Sequence, residues 1–179
     1  MAPCHCAMLP LFCSLVFSMA AAVVGETGGD VGRPTHLHFY FHENFSGGPN
    51  GTTVVVSKVR GGSNNSSFFG GVFVVDDMLR EGPDPASQLL GRAQGLTVGT
   101  SLSDGALLTV LNFVFTEGAY SGSSLTLLGR ALLGTVMERP IVGGTGVFRM
   151  ARGYTLSKMV QSPDPNNLLV LEYDAYIWH

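Results

Sequence analysis

Short apolar runs separated by turn residues recur along the chain from residue 36 onward. The runs are rich in Val, Leu, Phe, Thr and Tyr, and clusters such as Ser103-Asp104-Gly105 divide them, a pattern typical of β-strands joined by tight turns. No segment has the spacing of an amphipathic helix. The pattern predicts strands at residues 36–45, 52–59, 68–76, 89–102, 106–117, 123–131, 141–151, 154–160 and 168–178.

The short connections between these strands favour an antiparallel meander. Closing such a meander into a barrel removes its exposed edges, and a barrel of about eight strands is wide enough to hold one small ligand. The sequence therefore predicts an all-β domain over residues 36–179, built as an antiparallel β-barrel.

The first strand has two different faces. Alternation places Leu37, Phe39, Phe41 and Glu43 on one face, which is the better candidate for the interior. Phe39 and Phe41 are therefore candidate ligand contacts, and Glu43 is an acid at the end of an apolar stripe.

The strand within 106–117 is apolar on both faces apart from Thr109 and Asn112. A barrel wall that is apolar on its outer side needs a second surface to cover it. We therefore expect a subunit interface on this wall.

The N-terminus differs from the rest of the chain. An apolar run ending in small residues predicts a secretory signal at residues 1–24, followed by a flexible Gly-rich arm at 25–35. Cys4, Cys6 and Cys13 all lie in that signal, so the mature part has no thiol for a disulfide, a zinc site or an iron–sulfur cluster. No later stretch is long and apolar enough to predict a membrane span.

Four sequons support a secreted glycoprotein. They begin at Asn44, Asn50, Asn64 and Asn65. The formal net charge is −3 and the 10 Lys and Arg residues are scattered, a distribution that argues against nucleic-acid binding.

His36, His38 and His42 resemble a metal triad, but the period of two puts Glu43 on the opposite face from them. The Gly143–Gly146 stretch lacks the Lys of a phosphate-binding loop. We therefore expect neither a metal nor a cofactor.

Three other charged residues are candidates for the site. Asp76 ends an apolar run, which is consistent with either a turn or a carboxylate at the entrance of a pocket. Arg92 and Arg149 fall in mostly apolar predicted strands, where a guanidinium needs either a carboxylate partner or a ligand oxygen.

Eight blocks of the chain, in the right order, resemble the plant dirigent family. They include Gly91-Arg92-Ala93-Gln94-Gly95 and Gly143-Gly144-Thr145-Gly146. The full set comprises residues 37–43, 48–50, 73–77, 91–95, 113–115, 122–125, 142–149 and 151–154.

The resemblance implies a secreted, eight-stranded antiparallel barrel of the allene-oxide-cyclase type with one pocket per subunit. It implies a homo-oligomer, a trimer or a dimer. It also implies a role in lignan and phenylpropanoid synthesis, in which a separate laccase or peroxidase makes phenoxy radicals from alcohols such as coniferyl alcohol. The dirigent protein then sets the regio- and stereochemistry of their coupling. By position, the resemblance assigns Glu43 and Asp76 as the acids of the site, whereas the substrate-contact roles of Arg92 and Arg149 are our inference.

The chain also departs from pinoresinol-forming relatives, which implies a wider and less aromatic pocket. Thr97, a candidate substrate contact, and Gly99 stand where those relatives tend to carry tyrosines. Arg130 and Ala131 stand where they tend to carry an acid, and Met137 where they carry an arginine, with Arg139 close by. Two alternatives follow. One is a lyase or cyclase acting on a phenolic or quinone methide, and the other is a cell-wall or defence-associated binding protein without chemistry.

Overall fold

The computed structural model describes residues 32–57 and 68–179. The predicted signal at 1–24, most of the predicted arm at 25–35, and Asn64 and Asn65 lie outside the described residues. Within the described residues, no helix is long and apolar enough to cross a membrane.

The described chain is built from strands joined by short connections. Three-residue 3-10 turns follow β1, β5 and β7. The strands are β1 Thr35–Asn44, β2 Thr53–Ser57, β3 Val72–Arg80, β4 Leu89–Gly99, β5 Leu107–Phe115, β6 Ser124–Ala131, β7 Met137–Thr145, β8 Arg152–Met159 and β9 Leu168–Trp178.

The sheet closes on itself. Its order is β1-β9-β8-β7-β6-β5-β4-β3-β2, and an additional antiparallel pairing joins β1 to β3. Eight strands therefore form a closed antiparallel barrel, with β2 paired along β3. This confirms the all-β, eight-stranded barrel that the sequence predicts.

Two predicted strands are shifted along the chain. β3 spans Val72–Arg80 instead of 68–76, so Asp76 lies inside a strand and not at its end. β7 spans Met137–Thr145 instead of 141–151, because the Gly146–Phe148 turn interrupts the apolar run. Both errors arose because apolar residues continue from the strand into its connection.

Aromatic rings fill one end of the barrel. Phe39 stacks on Tyr173 with ring centroids 5.4 Å apart, and Phe113 meets both rings edge-on. Phe148 extends the cluster toward the same end, and it is fully buried like the other three. This plug leaves the opposite end of the barrel open for a cavity.

A glycine allows two neighbouring strands to approach closely. A Cβ at Gly95 on β4 would lie 2.0 Å from the carbonyl oxygen of Val110 on β5. Because that contact is to backbone, no larger residue fits there without moving the barrel wall.

Candidate functional site

A cavity of about 480 Å³ lies inside the barrel, within the range of roughly 300–1,000 Å³ that is common for small-molecule sites. Most of its wall is apolar, with Phe41, Leu111 and Leu171 among the buried residues. Phe45 and Phe68 also line it and are partly exposed, which places them on its solvent side. The cavity therefore favours a ligand that is itself largely apolar.

Two carboxyl groups lie side by side in the barrel interior. The β1–β3 ladder pairs Phe41 with Leu79, and continuing that register by two residues brings Glu43 opposite Asp77. Glu43 lines the cavity and accepts a 2.6 Å hydrogen bond from the Thr53 hydroxyl.

Asp77 is fully buried, and its Oδ1 accepts a hydrogen bond from the Thr52 hydroxyl. Within the described residues, its Oδ2 has no hydrogen-bond partner. Burial, reinforced by the neighbouring charge of Glu43, raises the pKa of Asp77 to about 8. Burial also raises the pKa of Glu43, against the opposing effect of the Thr53 hydrogen bond. The pair therefore retains a proton at neutral pH and can donate it to a ligand.

Arg139 supplies a positive charge to the same cavity. It is 2% exposed, and its Nη2 donates a 2.6 Å hydrogen bond to Ser157 Oγ and another to the Tyr173 hydroxyl. The guanidinium carbon lies 5.1 Å from the Tyr173 ring centroid, which is within cation–π range. β7 is three strands from β1 in one direction round the barrel and four from β3 in the other. The guanidinium and the carboxyl pair are therefore on opposite sides of the interior.

Three of the predicted site residues line the cavity: Phe41, Glu43 and Thr97. Phe39 points inward as predicted but belongs to the aromatic plug, packed between Phe113 and Tyr173. Phe39 therefore packs beneath the cavity and does not line it.

Asp76, Arg92 and Arg149 do not line this cavity. Of the two alternatives for Arg92, a carboxylate partner or a ligand oxygen, the structure shows the carboxylate partner. Arg92 Nε donates to Asp76 Oδ1 over 2.5 Å, and this ion pair is exposed on the outer face because even-numbered residues of β3 point outward. Arg149 is exposed just after the Gly146–Phe148 turn.

Two charged residues of the interior, Asp77 and Arg139, are not among the predicted site residues, although Arg139 lies close to the position where relatives carry an arginine. The Asp76-Asp77 pair offers one inward and one outward carboxylate, and a shift of one residue in the strand reverses them. Alternation in Met137-Glu138-Arg139-Pro140-Ile141 could have found Arg139, since it shares a face with Met137 and Ile141.

The three histidines of β1 do not join the cavity. His36 and His38 lie on the outer face, and both contact Asp174 Oδ1, at 2.8 and 3.0 Å. His38, Glu172 and Asp174 offer ligand atoms within 4.8 Å of one another. His42 is buried apart from them. The expectation that the chain binds no metal stays a prediction.

The protonated Asp77 should make the stability of the fold depend on pH. A carboxyl whose pKa is raised on folding stabilises the fold at low pH, and that contribution is lost as pH rises from about 4 to about 8. Between these pH values the free energy of unfolding of the wild type should therefore fall by up to about 1.4 kcal/mol for each pH unit because of Asp77. Asp77→Asn should lack this part of the fall. Urea unfolding at pH 5, 6 and 7, at a fixed protein concentration, measures this slope.

Asp76→Asn is the matched control, because it neutralises the adjacent carboxylate on the exposed face. It should leave the slope of the wild type unchanged. Equal slopes for Asp77→Asn and the wild type would show that Asp77 does not carry the proton.

Comparison with known proteins agrees with this architecture. The family described as Dirigent-like protein matches residues 34–178. Dirigent protein 1 of Arabidopsis thaliana is 39% identical over 178 residues, which cover 96% of each chain. Pterocarpan synthase 1 of Glycyrrhiza echinata is 40% identical over 147 residues, covering 81% of this chain and 78% of its own.

A solved structure of a pterocarpan synthase dirigent protein superposes with a TM-score of 0.74 at 39% identity. The match covers 81% of this chain and 89% of that one. The barrel, its interior cavity and the near full-length sequence match together show that this chain belongs to the dirigent family.

Proposed function

We propose that this protein binds phenolic radicals produced by a separate laccase or peroxidase and directs their coupling. The observation that carries the proposal is the cavity, an apolar barrel interior with a few fixed polar groups, in a chain of the dirigent family. Such a site holds an aromatic ring by burial and fixes its orientation through hydrogen bonds. Monolignols such as coniferyl alcohol, the precursors of lignans, are the substrate class that we infer.

The work required of such a protein is orientation. Radical coupling needs little acceleration, so the protein contributes by holding the reacting faces in one arrangement. A difference of about 1.4 kcal/mol between two bound orientations already gives a tenfold excess of one product. The rigid plug under the cavity and the closed wall around it are suited to enforcing a difference of that size.

A second candidate function is proton-assisted cyclisation or elimination on a phenolic or quinone methide, without an oxidase. The buried carboxyl pair favours it, because a carboxyl with a raised pKa in an apolar site can act as a general acid at neutral pH. Two relatives named pterocarpan synthase share 37–40% identity with this chain, which also supports a member with chemistry of its own. Glu43 would face the ligand and transfer a proton to it, and Asp77 would supply that proton to Glu43.

A coupling assay separates these functions. Coniferyl alcohol is oxidised by a laccase with and without the protein, and the products are separated on a chiral column. We expect an enantiomeric excess that grows with protein concentration. Glu43→Gln should fold normally and lower that excess, because it removes the acid that lines the cavity.

The same assay includes an arm without oxidant, in which a phenolic quinone-methide precursor is supplied directly. Conversion in this arm that Glu43→Gln abolishes would favour the cyclase. Racemic products with oxidant, no conversion without it and a phenolic bound in the cavity would instead identify a binding protein without chemistry.

We further infer that the chain is secreted and glycosylated, on the basis of the apolar N-terminal run and the sequons. Asn50 lies exposed in the Gly48–Asn50 turn, whereas the Asn44 side chain accepts hydrogen bonds from Ser46. The secreted Asn50→Gln variant should therefore lack the mass of the Asn50 glycan, which an endoglycosidase removes from the secreted wild type. A secreted protein of unmodified mass would contradict glycosylation at any sequon.

We also propose that the barrel assembles into a dimer or trimer through its outer wall. Register pairs place apolar residues side by side across five strands, from β2 to β6. This outer stripe consists of Val54, Val74, Leu96, Val110 and Leu128. Four of the five are at least 36% exposed in the single chain, and so large a continuous apolar surface marks an association site.

Leu96→Glu should convert the oligomer into monomers, because it buries a charge at the centre of the outer stripe. Light scattering coupled to size-exclusion chromatography measures the mass. Gln161→Glu adds the same charge at an exposed position after β8 and should leave the assembly intact. A monomeric wild type, or a Leu96→Glu variant that stays assembled, would contradict the stripe as the interface.

A further inference from the structure

The cavity contains a positive charge that none of the described residues neutralises. Among residues 32–57 and 68–179, no carboxylate lies within ion-pair distance of Arg139. The guanidinium is nonetheless almost fully buried. A buried cation without a counter-charge is unusual, because removing it from water is costly unless a partner replaces the lost hydration.

The hydrogen bonds of Arg139 leave part of the guanidinium free. Both bonds that it makes within the described chain use Nη2, one to Ser157 and one to Tyr173. Its Nε is buried and has no hydrogen-bond partner in the part of the chain that the structure describes. The two partners are neutral hydroxyls, so they hold the side chain in place without cancelling its charge. The group is therefore fixed in position, with donors still available to a ligand.

The remainder of the lining does not supply the missing negative charge. On the inward face of β7 the neighbouring residue that lines the cavity is Met137. Ala131 and Leu133 lie at the end of β6 and just beyond it. Glu43 is the acid that lines the cavity, and it lies across the barrel, where burial favours its protonated form. The interior therefore has a net positive charge on the side of the cavity lined by β7 and β9.

We propose that Arg139 binds an anionic oxygen of the ligand, so that the cavity selects phenolic compounds that carry a carboxylate or bind as the phenolate. A carboxylate or phenolate oxygen would complete the donors of the guanidinium with charge-assisted hydrogen bonds. The ligand's ring would then lie along the apolar wall between Arg139 and the carboxyl pair. This inference rests on the proposed phenolic-binding function and narrows its substrate class.

Ferulate and coniferyl alcohol form a matched pair of probes, because they differ only in a carboxylate in place of a hydroxymethyl group. Calorimetric titration at pH 6 keeps both free phenols neutral, since their pKa lies far above it. If the anion is a carboxylate, the wild type should bind ferulate at least tenfold more tightly than the alcohol. If it is a phenolate, the alcohol should instead show the red-shifted absorption of a phenolate on binding.

Arg139→Met should reduce the ferulate preference to within about twofold and abolish any phenolate absorption, because it removes the charge while retaining an unbranched side chain. Arg139→Lys keeps the charge and should retain part of the effect, which tests the inference should the methionine variant fold poorly. Arg152→Met removes an exposed arginine of β8 and should behave like the wild type.

Equal binding of the two probes by the wild type, without phenolate absorption, would overturn the role of Arg139 and leave the phenolic-binding function in place. A ferulate preference that survives in Arg139→Met would do the same. Failure of both probes to bind would overturn the proposed function together with this inference.

Discussion

The pairing of β1 with β3 is the contact on which the rest of the structure depends. It closes the sheet, so that every inward side chain faces a common interior rather than solvent. The same register sets Glu43 opposite Asp77, residues that are 34 positions apart in the chain. Closure therefore creates the cavity and the carboxyl pair in one step, and it does so through main-chain hydrogen bonds that do not depend on which side chains line the pocket.

Whether a group inside this barrel is charged depends on whether it can become neutral when it loses contact with water. A carboxyl can avoid the cost by keeping its proton, and burial raises the pKa of both Asp77 and Glu43 accordingly. A guanidinium has no such option, because it remains protonated at any physiological pH. The interior consequently combines potential proton donors on one side with a permanent cation on the other. That asymmetry gives a bound molecule a preferred direction.

The inner and outer surfaces of the wall serve different purposes even though the same strands build them. On β4, Thr97 points into the cavity while Leu96 belongs to the outer stripe. On β5, Leu111 lines the cavity and Val110 faces outward. Both faces carry apolar residues, so hydrophobicity along the sequence cannot tell the inner face from the outer face. Assembly through the outer stripe would also stiffen the wall of the cavity, which is the property that control of orientation requires.

The sequence alone determined the strands, the closed barrel and the inward face of β1 with Phe41 and Glu43, because a period of two and the turn residues are local signals. It could not decide which carboxylate of Asp76-Asp77 points inward, since that depends on a register fixed by partner strands. Nor could it show that Arg139 is buried while Arg92 forms an exposed ion pair, because both lie in similar apolar surroundings along the chain. Burial, ion pairing and pKa depend on neighbours that are distant in sequence, and only the tertiary structure brings those neighbours together.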